Sequence, residues 1–291
     1  MSTPTLDRPL SASVPENYTP IKPNPLARLW RWIRDHVIAI CAVLALVYLF
    51  LPIAIVVIFS FNEPKGRQNT VWNEFSLDAW TNICRDPSIC SSVGVSLQIA
   101  LVSTIFATLL GTLISFALVR HRFHGRTATN LLIFLPMATP EVVLGASLLA
   151  LFLNLGASLG FVTILIAHIM FCISFVVVTV KARISSLDPR LEQAAMDLYA
   201  DEKTTFWKVT FPQVLPGIVG ASLLAFSLSF DDFIITNFNS GSSVTFPMFV
   251  WGSAQRGTPP QINVVGSLMF FISLAVVLIG QVLQRRRARK A

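Results

Sequence analysis

DPRLEQAAMDLYADEKTTFWKVTFPQVLPGI, residues 188–218, is a polar segment set between two long apolar runs. Asp188 is placed to cap a helix with Pro189 at its first position, and Leu191, Ala195 and Leu198 then recur at i, i+4 and i+7. Asp201 starts a second short helix carrying Phe206, Trp207 and Val209, which Pro212 and Pro216 end as the next apolar run begins. Two short helices at an angle, rooted in a longer apolar one, form a surface able to transmit a push. The same periodicity also fits a helix pair lying flat on lipid headgroups.

The rest of the chain is built for lipid: 54% of its residues are hydrophobic, 13% are charged and the mean hydropathy is +0.66. It reads as an all-α polytopic membrane protein with six transmembrane helices. The runs 37–61, 92–119, 130–153, 159–180, 214–238 and 264–283 each suit a hydrocarbon core of about 30 Å, which takes roughly 20 residues to cross. The first run is too long for a signal peptide and no small-residue cleavage site follows it, so it is expected to remain as a membrane helix. Before it, the proline-rich stretch 1–36 reads as a largely disordered tail. A loop over 62–91 separates it from a core over 92–283 that carries the polar loop 181–213, and 284–291 form a basic tail.

All of the 22 Lys and Arg residues except Lys65, Arg67, Arg85 and Arg256 precede the first run, follow the last, or lie between the second and third or the fourth and fifth. Those segments, and both termini, are therefore expected on the cytoplasmic side. The net charge of +7 then matches anionic lipid headgroups, and its scatter over four segments argues against a nucleic-acid partner. In the 62–91 loop, Trp72, Phe75 and Trp80 fit a small folded cap, a partner contact or packing on the bilayer interface. Cys84 and Cys90 are spaced for a small disulfide loop in an oxidising compartment and equally for two free thiols. Cys41 and Cys172 read as packing residues, and Gly156 and Gly160 as a turn. The chain has neither a phosphate-binding loop nor a dinucleotide fingerprint, so it is expected to bind no cofactor and not to hydrolyse ATP itself.

Glu141, Asp231 and Asp232 lie inside apolar runs, where each ionised acid costs about 2.5–3.5 kcal/mol unless paired or wetted. Pro140 has no amide to donate to the carbonyl of Pro136, which predicts a bend just before Glu141. A carboxylate beside freed carbonyls suits an ammonium ion. Neighbouring helical positions diverge by about 100°, so Asp232, on the side of Ser229, is taken as the partner of Glu141 and Asp231 as structural. Phe226, Phe230 and Phe233 form an aromatic stripe that reads as helix packing, with cation–π contact as the other use, and His168 reads as a hydrogen-bonded packing residue.

QAAMDLYADEKTTFWKVTFP resembles the signature EAA-x3-G-x9-I-x-L-P of ABC importer permeases, the loop that docks in a groove of the ATPase subunit. Gln193, Ala194 and Ala195 match its start, and Val209, Phe211 and Pro212 its end; Gln193, Tyr199 and Phe211 depart from its Glu, Gly and Leu. Glu192 supplies an acid one position early. With SFN at 60–62, LPMATPEVVLG at 135–145 and LSFDDFIITNF at 228–238, the chain is similar to the second permease of spermidine/putrescine importers. The resemblance implies a type I ABC importer permease fold in a bacterial inner membrane. It also implies a sister permease, an extracytoplasmic binding protein, and two ATPase subunits that use ATP and Mg. The docking residues would be Glu192, Gln193, Ala194, Ala195, Leu198, Tyr199, Val209, Phe211 and Pro212, and the substrate route would pass Glu141, Asp231, Asp232, Phe230 and Ser229. The alternatives are an importer of another small cation or metal–chelate, and an ion-coupled secondary carrier.

Overall fold

The computed structural model describes residues 25–288, so 1–24 and 289–291 of the two expected tails lie outside the described residues. The chain divides into two compact units, one ending at Ile55 and the other starting at Val56. Helix α1 (Pro25–Phe59) supplies the described part of the first unit and runs on into the second from Val56; its span from His36 is apolar with its side chains turned outward. Ile38, Leu44, Tyr48 and Leu51 are all exposed, which is the surface lipid requires.

In the second unit a two-residue hairpin, β1 (Asn62–Glu63) with β2 (Glu74–Phe75), and a single turn, α2 (Asp78–Thr81), make a folded cap. Asn62, only 1% exposed, organises it. Its amide donates to Asn69 Oδ1 at 2.6 Å and to the Val71 carbonyl at 2.9 Å, and its own oxygen accepts from the Asn73 amide at 2.7 Å. Phe61 stacks between Phe75 and Trp80, and Cys84 is bridged to Cys90. Of the readings left open by the sequence, the folded cap and the disulfide are the ones observed.

The core is built by α3 (Pro87–Arg120), α6 (Phe161–Ser185) and α9 (Phe211–Asp231). Apolar lipid offers no hydrophobic drive between helices, so close approach of small residues takes its place. Ala100, Ala107, Ala221 and Ala225 are fully buried, and Ser115 donates to the carbonyls of Gly111 and Val177 at 2.7 and 3.1 Å. At Gly111 a Cβ would sit 2.6 Å from a methyl of the fully buried Val176.

Two expected spans are interrupted. The run 130–153 is two helices, α4 (Arg126–Ala138) and α5 (Glu141–Asn154), bent by 108° at Thr139 and Pro140. Among the described residues, five helices are thus long and apolar enough to cross a membrane, and up to six if the bent pair is one span. The run 214–238 ends as a helix at Asp231, and after the extended Asp232 a separate α10 (Ile234–Asn239) follows. Between α6 and α9 lie α7 (Arg190–Asp197), α8 (Glu202–Thr205) and one π turn (Phe206–Thr210); α11 (Phe246–Arg256) and α12 (Pro260–Ala288) close the fold.

Gly111→Ala should lower the thermal midpoint of the detergent-purified chain by the equivalent of about 1–3 kcal/mol, the usual cost of overpacking. Adding Val176→Ala should return part of it; a midpoint unmoved by Gly111→Ala would show that α3 and α6 do not meet there.

Candidate functional site

Ending a helix inside a membrane strands backbone amides that no water can reach. At the α9–α10 break the Asp232 carboxylate takes that role, accepting from the amides of Ile235 and Thr236 at 3.4 and 2.8 Å and from the Thr236 hydroxyl at 2.8 Å. His168, from α6, lies 3.3 Å from the same carboxylate and 2.9 Å from the Thr236 hydroxyl through Nε2. Its Nδ1 meets Ser229 Oγ at 2.7 Å, and Ser229 meets Ser103 of α3 at 2.9 Å. Three core helices are thus tied to one break by a closed set of polar contacts.

Glu141 and Asp232 were expected along the substrate route and Asp231 as structural, but the burial of the two aspartates runs the other way. The Asp232 side chain is 5% exposed and surrounded by protein partners, and Ser229 is buried beside it, so neither faces open space. Asp231 is exposed at the last position of α9, and Glu141 is exposed at the first position of α5. The earlier expectation assumed one continuous helix through 231 and 232; the break turns the second carboxylate back into the protein. α5, which Glu141 opens, packs on α10, which follows the break after Asp231: Phe238 lies against Gly145, and Asn239 donates to the Gly145 carbonyl at 3.4 Å. Phe230 packs on Phe226 and Phe246, and Phe233 packs on Trp251.

The signature-like loop forms the second cluster. Asp188 accepts from the Arg190 amide at 2.9 Å and Asp201 caps α8 through the Thr204 amide, as the sequence predicts. Tyr199 holds the glycine position with φ at +64°. The amides of Tyr199 and Ala200 bond back to Met196 and Ala195 at 2.9 and 3.1 Å, which closes the end of α7 in the manner usual for glycine. The bend therefore survives the substitution, at a conformational cost of roughly 1–2 kcal/mol. Leu191, Leu198, Tyr199 and Trp207 are all exposed, and Tyr199 is fully so; Gln193, Ala194 and Pro212 are exposed, and Ala195, Val209 and Phe211 half-buried.

Glu192 does not join that outward surface. Its carboxylate takes a two-pronged ion pair from Arg120, the last residue of α3, and accepts from the Thr210 hydroxyl at 2.6 Å. Burial would raise its carboxyl, but the hydrogen bonds from Arg120 and Thr210 and the guanidinium charge outweigh that and hold it below its ordinary value. The pair therefore contributes fully above the ordinary carboxylate range and is lost only as pH falls below it. At the other end of α3, a cleft of about 1270 Å³ opens beside the cap, lined by residues including Glu63, Arg67, Asp86, Ser91, Phe249 and Arg256.

A helical membrane protein with a broken helix pair, buried polar ties and a signature loop between its fourth and fifth spans defines a transport subunit. The family model described as "Binding-protein-dependent transport system inner membrane component" matches residues 107–290. The spermidine/putrescine transport system permease protein PotC of Haemophilus influenzae is 36% identical over 240 residues, covering 82% of this chain and 93% of that protein. The putrescine transport system permease protein PotI of Escherichia coli K12 is 38% identical over 234 residues, covering 78% and 83%. In fold, the chain is similar to a bacterial alginate ABC transporter solved with an alginate pentasaccharide-bound periplasmic protein, with a TM-score of 0.62, 15% identity and coverage of 89% and 98%. The chain belongs to the binding-protein-dependent inner-membrane components, the permease subunits of ABC importers.

Asp232→Ala should destabilise the purified chain by about 3–5 kcal/mol, because it leaves His168 and the α10 amides without their acceptor. Asp231→Ala should change the same thermal midpoint by under about 0.5 kcal/mol. Equal losses would contradict the assignment of Asp232 as the structural member.

Proposed function

We propose that this permease moves polyamines, with Glu141 and Asp231 as the acids that read the cation. One observation carries the reading: these two carboxylates lie at helix breaks, are exposed, and enter no ion pair among the described residues. A polycation supplies the missing counter-charge. Supporting it, relatives more than a third identical over most of the chain carry names of spermidine/putrescine and putrescine permeases.

The assembly is a sister permease, two ATPase subunits that use ATP and Mg, and an extracytoplasmic binding protein, with alternating access between the two permeases. Both termini and the α7–α8 loop lie in the cytoplasm, and the cap lies outside. The charge bias supports this, as does α3, whose 34 residues span about 50 Å between the disulfide end and the Arg120 end. The ATPase docks on Leu191, Leu198, Tyr199 and Trp207. An exposed aromatic residue held in a strained backbone conformation fits a surface awaiting a partner.

Glu141→Gln and Asp231→Asn should each reduce polyamine uptake by roughly 5–150-fold, the effect of losing a charge contact of about 1–3 kcal/mol, with the complex still assembled. Normal uptake by both would refute cation recognition at this pair. Leu198→Asp should release the ATPase from the purified complex, since a charge in a tight protein groove is costly. Undiminished co-purification would favour a loop that rests on lipid headgroups.

A further inference from the structure

We propose that α3 receives the motion of the docking loop through a strut made by Arg120 and Glu192, with Phe116 and Phe206 beside them. This rests on the reading of the α7–α8 loop as the ATPase docking surface, and adds which transmembrane helix that surface moves. Continuity along the chain would favour α9, which directly follows the loop. The side-chain contacts lead to α3 as well.

Arg120 and Phe116 lie at i and i+4 in the last turns of α3 and so share one face. Arg120 grips Glu192 of α7 with both guanidinium prongs, which resists rotation as well as separation. Phe116 meets Phe206 edge-on at 5.3 Å between ring centres, which ties α3 to the π turn. The Glu192 carboxylate also accepts from Thr210, a buried residue at the end of that turn. One acid therefore joins α3, α7 and the entry to α9. The side chain is 17% exposed and Arg120 35%, so water competes only partly for the pair.

From Arg120 the helix runs unbroken to Ser103, about 25 Å away. Ser103 is the α3 member of the polar network that holds Asp232, next to the exposed Asp231. A shift of α7 is thus delivered by a stiff helix to the break beside the acids. Arg120 and Glu192 act as positioning residues: neither touches the substrate route.

The full complex reconstituted with its ATPase and binding protein tests this by the ratio of polyamine taken up to ATP hydrolysed. Arg120→Gln should leave ATPase co-purification and ATP hydrolysis in place and lower that ratio on the order of 10-fold, within the usual span of coupling between sites. Arg120→Glu and Glu192→Arg should each lower it, and the two together should restore much of it. A wild-type ratio in Arg120→Gln would overturn the strut. So would loss of the ATPase from that variant, or a double exchange no better coupled than either single one. Failure of the underlying reading looks different: the unaltered chain would then purify without an ATPase.

Discussion

Hydrocarbon supplies no hydrogen bonds, so a membrane helix can be broken only where the protein itself satisfies the freed groups. That constraint is met at Asp232. Its carboxylate caps α10, its partner His168 anchors the cap to α6, and Ser229 and Ser103 extend the anchor across α9 and α3. With the break secured, α10 can lie against α5 at Gly145, whose lack of a side chain leaves room for the Phe238 ring.

The same logic explains why adjacent aspartates differ so completely. In a regular helix they would diverge by about 100° and both remain partly open. Here the backbone leaves the helix at Asp232, with ψ at 122°, and the side chain folds back over the first turn of α10. A carboxylate in that position is an internal ligand for amides, whereas its neighbour keeps the last helical position and faces outward. Removing the first would damage the scaffold, whereas removing the second would leave these contacts in place.

Much of this architecture was legible in sequence. The apolar runs, the Asp188 and Asp201 caps and the bend at Pro140 are local effects of side-chain chemistry on the nearby backbone. The break after Asp231 was not legible, because no proline or glycine marks it; its cause is a carboxylate accepting amides once tertiary partners are in place. Arg120 reads in sequence only as a topology-setting charge, and nothing in the linear pattern joins it to Glu192, 72 positions away. Glu192 was accordingly assigned to the docking surface, from which its ion pair withdraws it. Tyr199 is the reverse case: an unfavourable residue for a left-handed turn, retained in that turn because the hydrogen bonds at the end of α7 require it.

Vesicle uptake tests the proposed cation recognition and the proposed ATPase drive at once. With the assembled complex in liposomes, binding protein and labelled spermidine outside, and ATP supplied on the docking-loop side, accumulation should persist when ionophores collapse all ion gradients and should cease without ATP hydrolysis. Uptake that follows an imposed ion gradient and ignores ATP would contradict the proposed drive.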